Sequence, residues 1–212
     1  GAQNHDPDAP HYDKGAWAIE GPPHLVTLAP FLLSKFELTQ AQWLATMGDN
    51  PSEAQPGTPD RGGTTTLANA VENVDWVRCT TLASHLGWTL PTEAQWEYAC
   101  RAGSATRWSC GDDAVALADY ANFGDEASRG DYMPGWPYQP DSDDGHSRVT
   151  AVGSYRPNAF GLFDMHGNVA EWCLDAMLSY EWDVKPGTGE RIAEERPPGD
   201  AERRAAVRGG NC

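Results

Sequence analysis

Phe160-Gly-Leu-Phe-Asp-Met-His-Gly-Asn-Val-Ala-Glu-Trp172 gathers turn formers, two carboxylates and five large apolar side chains into one short stretch. Phe160, Leu162, Phe163, Met165 and Trp172 can anchor it in a core, while Gly161, Gly167 and Asn168 suit tight turns that need φ > 0. A loop anchored at so many points is built to hold something. Asp164 and Glu171 are the charged groups it offers for the purpose.

Outward from this stretch, Ser147-Arg-Val-Thr-Ala-Val-Gly153 on its N-terminal side predicts a strand. On its C-terminal side residues 173–206 are polar and mixed, with turns at Lys185-Pro-Gly187 and Pro197-Pro-Gly199. Ala205-Ala-Val-Arg208 then reads as the start of a strand, and the sequence ends at Gly209-Gly210-Asn211-Cys212. Three short amphipathic helices are expected earlier. Thr39 caps one that Gly48 stops, Asp75 caps a second ending at Gly87, and Thr92 with Gln95 has the form of a capping box for a third. Before them, Pro23–Leu28 and Pro30–Leu38 alternate in the manner of an antiparallel strand pair. Residues 1–20 and 50–66 read as irregular loop.

A chain of 212 residues suits one domain. Its mean hydropathy of -0.58 is low, yet nine Trp, seven Tyr and five Phe do not belong to a disordered chain. Fifteen Lys and Arg against 31 Asp and Glu leave a net charge of -16, which argues against nucleic-acid and anionic-membrane partners because both require clustered cations. Between Asp112 and Asp144 the chain carries many carboxylates and a single cation, Arg129; this is either a solvated acidic loop or a hard-cation site. Five cysteines form no CxxC pair, and their odd count with no metal-ligand spacing favours reduced thiols in a cytoplasm-like compartment, here a bacterial cytoplasm. No run has the length of a membrane span, and the N-terminus lacks the basic-then-apolar order of a signal peptide. Cys100, on the apolar face of the third helix, reads as a buried small hydrophobe, and Trp43, Trp76, Trp96 and Trp172 as core or wall.

Several segments taken in order resemble the formylglycine-generating enzyme / sulfatase-modifying-factor family. They are Glu20-Gly-Pro-Pro-His-Leu-Val-Thr-Leu28, Phe36-Glu-Leu-Thr-Gln-Ala-Gln-Trp43, Asn50-Pro-Ser52, Val71-Glu-Asn-Val-Asp-Trp76, Leu90-Pro-Thr-Glu-Ala-Gln-Trp-Glu-Tyr98, Tyr120-Ala-Asn122, the stretch from Pro157 to Trp172, and Arg208-Gly-Gly210. The resemblance implies an α+β, C-type-lectin-like fold, rich in loops, with short helices and small antiparallel sheets. Set against the family pattern, residues 1–212 read as a single domain cut short at both ends and lacking its C-terminal segment, hence as part of a longer chain.

The resemblance also implies two Ca²⁺ sites. One would use the side chains of Asp164 and Glu171 with the carbonyls of Gly167 and Val169; the other, Asn122 and Asp144 with the carbonyls of Phe123 and His146. Such sets suit Ca²⁺, which takes six to eight oxygens in flexible geometry. The alternative is that Asp164 and Glu171 only satisfy backbone N–H groups of their own loop. His166 reads as a turn residue and not as a ligand. Active members oxidise a peptide cysteine to formylglycine with O₂, using two cysteines beyond the Gly-Gly block that hold Cu⁺, an ion selected by soft thiolates. Here Asn211 stands where the enzymes commonly carry Ser, Cys212 comes earlier than the first of their cysteines, and Ala170 replaces a large aromatic. Cys212 is therefore the only catalytic or copper-binding candidate. The implied functions are a family domain without demonstrable oxidase residues, an active copper- and O₂-dependent oxidase, or a module that binds a peptide or protein ligand, as found attached to bacterial kinases.

Overall fold

Three helices form where the sequence supplies their caps. In α1 (Gln40–Met47) the Thr39 hydroxyl accepts the Gln42 N–H at 3.2 Å while the Gln42 side chain accepts the Thr39 N–H at 2.9 Å, and Gly48 ends the helix in the left-handed region. Asp75 caps α2 (Trp76–His85) through the Arg78 N–H at 2.6 Å. Thr92 and Gln95 close the second reciprocal capping box, on α3 (Glu93–Arg101). This computed structural model describes residues 4, 6–8, 12, 14–16, 21–125, 142–178, 183–191 and 205–210.

Regular sheet is sparse among the described residues. β1 (Pro59–Asp60) and β2 (Gly63–Thr64) form a minimal antiparallel pair inside what the sequence presents as loop. β3 (Glu171–Ala176) grows directly out of the 160–172 stretch and pairs antiparallel with β4 (Ala205–Arg208), setting Glu171 opposite Arg208 and Trp172 opposite Val207 before an irregularity shifts the register. The β4 expectation holds, whereas β3 is hidden in a segment that reads as polar and mixed.

The expected strand pair over residues 23–38 does not form. Pro22, Pro23 and Pro30 lack the N–H that a ladder needs, and Leu25 and Leu32 stand 94% and 100% exposed instead of facing a core. The segment spends its backbone groups singly: Ala29 N–H donates to Gly187 O at 2.8 Å, Val71 N–H to Leu38 O at 2.9 Å, and Phe163 N–H to Lys35 O at 3.1 Å. Likewise residues 147–153 make one bridge, between Ala151 and Asn69, because the Asn168 side chain takes the Thr150 N–H at 2.8 Å.

Two apolar clusters carry the packing. Trp43, Val71 and Leu82 join α1 to α2. Trp96, Ala99, Cys100, Met165, Cys173 and Ala206 join α3 to the β3–β4 pair. Met165 plugs the 160–172 loop into the second cluster, while Phe160 is half exposed and Phe163 stacks on Phe36 at 4.9 Å between ring centroids. Only part of the expected anchoring is therefore deep burial. Asp175, 1% exposed, locks α3 to the later chain by accepting the Glu93 and Arg191 N–H groups, each at 2.6 Å. No helix among the described residues is long and apolar enough to cross a membrane.

Candidate functional site

The loop between Met165 and Glu171 is shaped by its backbone. Asp164 and Asn168 adopt φ of 57° and 61°, and Gly167 has φ 120°. A Cβ on Gly167 would stand 2.0 Å from the carbonyl oxygen of Asn122, so only glycine fits. The Asn168 N–H then donates to that same oxygen at 2.7 Å. The segment at Asn122 and the loop are thus pressed together without an intervening side chain.

Around the loop the structure places three carboxylates. Asp164, 1% exposed, accepts the Gly153 N–H through Oδ2 at 2.6 Å, and its Oδ1 is buried with no hydrogen-bond partner among the described residues. Glu37 accepts the Asn168 Nδ2–H at 2.5 Å and the Val169 N–H at 3.1 Å. Glu171 opens β3 with its carboxyl group enclosed. The Trp96 indole N–H lies toward it without completing a well-aligned hydrogen bond, and the site of a Gly209 Cβ is 3.9 Å from its Oε1. Burial pushes Glu171 up to about 7, with Trp96 opposing and the Asp164 charge adding. Burial raises Glu37 well above the ordinary carboxylate range, the charges of Glu171 and Asp164 adding to the effect, and burial raises Asp164 too. These three acids have too little positive potential around them to ionise comfortably together.

The second candidate set is assembled from two chain segments. Asp144 Oδ2 accepts the Phe123 N–H at 2.8 Å and its Oδ1 accepts the His146 N–H at 2.9 Å. Asp125, fully buried, accepts the Asp144 N–H at 2.5 Å. Burial lifts Asp144 to about 6 against those two N–H bonds, with Asp125 adding to the rise. Asn122, also fully buried, donates Nδ2–H to Arg148 O at 2.8 Å and to Asn168 Oδ1 at 3.2 Å, leaving its Oδ1 without a partner among the described residues. The His146 ring is engaged by Asp60, its Nδ1 2.6 Å from Asp60 Oδ2.

All eight expected cation-site residues fall into these two places, and Cys212 lies outside the described residues. Among the described residues no three His, Cys, Asp or Glu side chains form a metal-holding group, and each candidate set offers only two side chains beside its two carbonyls. The residues fit a hard cation on one specific ground: each set contains a buried oxygen, Asp164 Oδ1 or Asn122 Oδ1, that nothing else satisfies among the described residues. Sequence reasoning missed Glu37 and Asp125. A lone carboxylate between Phe36 and Leu38 in an apolar run was the available signal for Glu37; nothing distinguishes Asp125 from its acidic neighbours.

The four described thiols are quiet. Burial raises Cys79 and Cys100 to about 12 and Cys173 further, and Cys110 is raised as well. His166 lies against Cys100, but its Nε2 accepts the Ser109 N–H at 3.0 Å and burial drops it to about 4. It is a neutral, structural ring within the turn.

The family model of the sulfatase-modifying factor enzyme 1-like domain matches residues 5–212. Among curated relatives, chaperone protein LppX of Paenibacillus barcinonensis is 30% identical over 78% of this chain and 67% of its own length. The formylglycine-generating enzyme of Streptomyces coelicolor is 40% identical over 50% of this chain but only 32% of that enzyme. The serine/threonine-protein kinase pkn1 of Chlamydia pneumoniae is 33% identical over 67% of this chain and 19% of the kinase. Among solved structures, PvdO from Pseudomonas aeruginosa superposes with a TM-score of 0.68 at 28% identity, covering 93% of this chain and 74% of that one. Treponema denticola variable protein 1 gives 0.64 at 26%, covering 93% and 78%. The loop-rich α+β, C-type-lectin-like architecture expected from the sequence is the one the chain adopts.

Proposed function

Because the chain belongs to the family of sulfatase-modifying factor enzyme 1-like domains, we propose that it is a Ca²⁺-stabilised scaffold of that family that works by binding a peptide or protein ligand. One Ca²⁺ would be held by Asp164, Glu171 and the carbonyls of Gly167 and Val169, the other by Asn122, Asp144 and the carbonyls of Phe123 and His146. The buried Asp164 Oδ1, without a hydrogen-bond partner among the described residues and beside two further carboxylates, Glu37 and Glu171, carries the cation reading. A divalent ion offsets the mutual repulsion of those acids and completes its shell with water. Binding in place of chemistry is supported by the four described cysteines, whose raised pKa values deny them thiolate character, and by the likeness to a kinase chain. The test is calorimetric titration of the whole protein with Ca²⁺, paired with thermal unfolding in chelator. At a hundredfold excess of ion over Kd, about 2.7 kcal/mol of stabilisation is expected per site. No heat of binding and an unchanged melting temperature in chelator would overturn the reading.

A second reading is favoured by the identity to formylglycine-generating enzymes. In it Cys212 contributes to a Cu⁺ site and the protein oxidises a peptide cysteine with O₂, in a bacterial cytoplasm. A stoichiometric Cu⁺ site under anaerobic titration, with turnover of a cysteine peptide in O₂, establishes that reading; absence of both removes it.

A further inference from the structure

We draw no further inference here: the strongest candidate, the apolar groove of about 570 Å³ lined by Val26, Phe31, Leu33, Tyr98, Phe160 and Leu162, carries none because nothing in the structure shows what covers it.

Discussion

The two candidate cation sites are built from the same kinds of residue but treat their carboxylates differently. At the second, both Asp144 oxygens accept backbone N–H groups, from Phe123 and His146. At the first, Asp164 has one such donor and one buried oxygen with no partner among the described residues, and Glu37 and Glu171 crowd around it. A carboxylate with both oxygens occupied is a brace that a cation can join. One left half empty beside like charges is a liability that a cation removes. The first site should therefore respond strongly to pH and ions, while the second should respond to loss of its hydrogen bonds.

The contact of Gly167 with Asn122, one residue from each candidate site, gives the largest expected effect. Gly167→Ala places a methyl group 2.0 Å from the Asn122 carbonyl oxygen at a φ of 120°. Both the clash and the backbone conformation oppose it, and a loss of about 4 kcal/mol or more is expected, measured by urea unfolding. A loss under about 1 kcal/mol would mean the contact yields and the two segments are not rigidly joined.

Next comes the pH response of the first site. Glu171 rises from an ordinary 4.5 to about 7 in the folded protein, so its contribution is fully present below pH 4.5 and is lost as pH climbs through 7. In chelator, stability should fall across that window by about 3 kcal/mol from this group, at about 1.4 kcal/mol for each tenfold difference in proton affinity between the folded and unfolded chain. Glu171→Gln should flatten the decline, as should saturating Ca²⁺ in the natural chain. His166 acts in the opposite sense: depressed from 6.5 to about 4, it favours folding above pH 6.5 and loses that contribution as pH falls through 4. A chelated protein whose stability does not fall between pH 4.5 and 7, even in a His166→Gln background, would contradict the enclosed environment assigned to Glu171.

The helices were legible because their determinants are local. Thr39, Asp75 and Thr92 each sit next to the periodic run they cap, and the structure starts a helix after each. The turn residues of the loop were legible for the same reason: Gly161, Gly167 and Asn168 all have positive φ. Apart from β4, the strands were not, because a ladder is decided by a partner far away in sequence. The alternation across residues 23–38 was real, but its prolines and scattered partners left it without a neighbouring strand. Asp164 and Glu171 could be chosen from the sequence, yet the role of Glu37 depends on a contact spanning 131 residues to Asn168, and that of Asn168 on one spanning 46 to Asn122. Only the folded chain brings those amides into line.

The finest discrimination between the sites comes from the same substitution made in each, in chelator at pH 8, above the value of about 6 to which Asp144 is raised. In Asp164→Asn the amide oxygen can keep the Gly153 N–H, and the NH₂ takes the place of an oxygen that accepts nothing from the described residues. No hydrogen bond is lost and a crowding charge is removed, so stability should hold or rise by about 1 kcal/mol. In Asp144→Asn one of two backbone N–H donors, of Phe123 or His146, must face an NH₂ group. That N–H loses its acceptor in a half-buried place, which should cost about 1 to 2 kcal/mol even after the charge is relieved. Unfolding of the two variants side by side in urea reads the difference directly. If Asp164→Asn destabilises as much as Asp144→Asn, then Asp164 is a brace of its own loop, and the contrast between an ion-dependent and a self-satisfied site disappears.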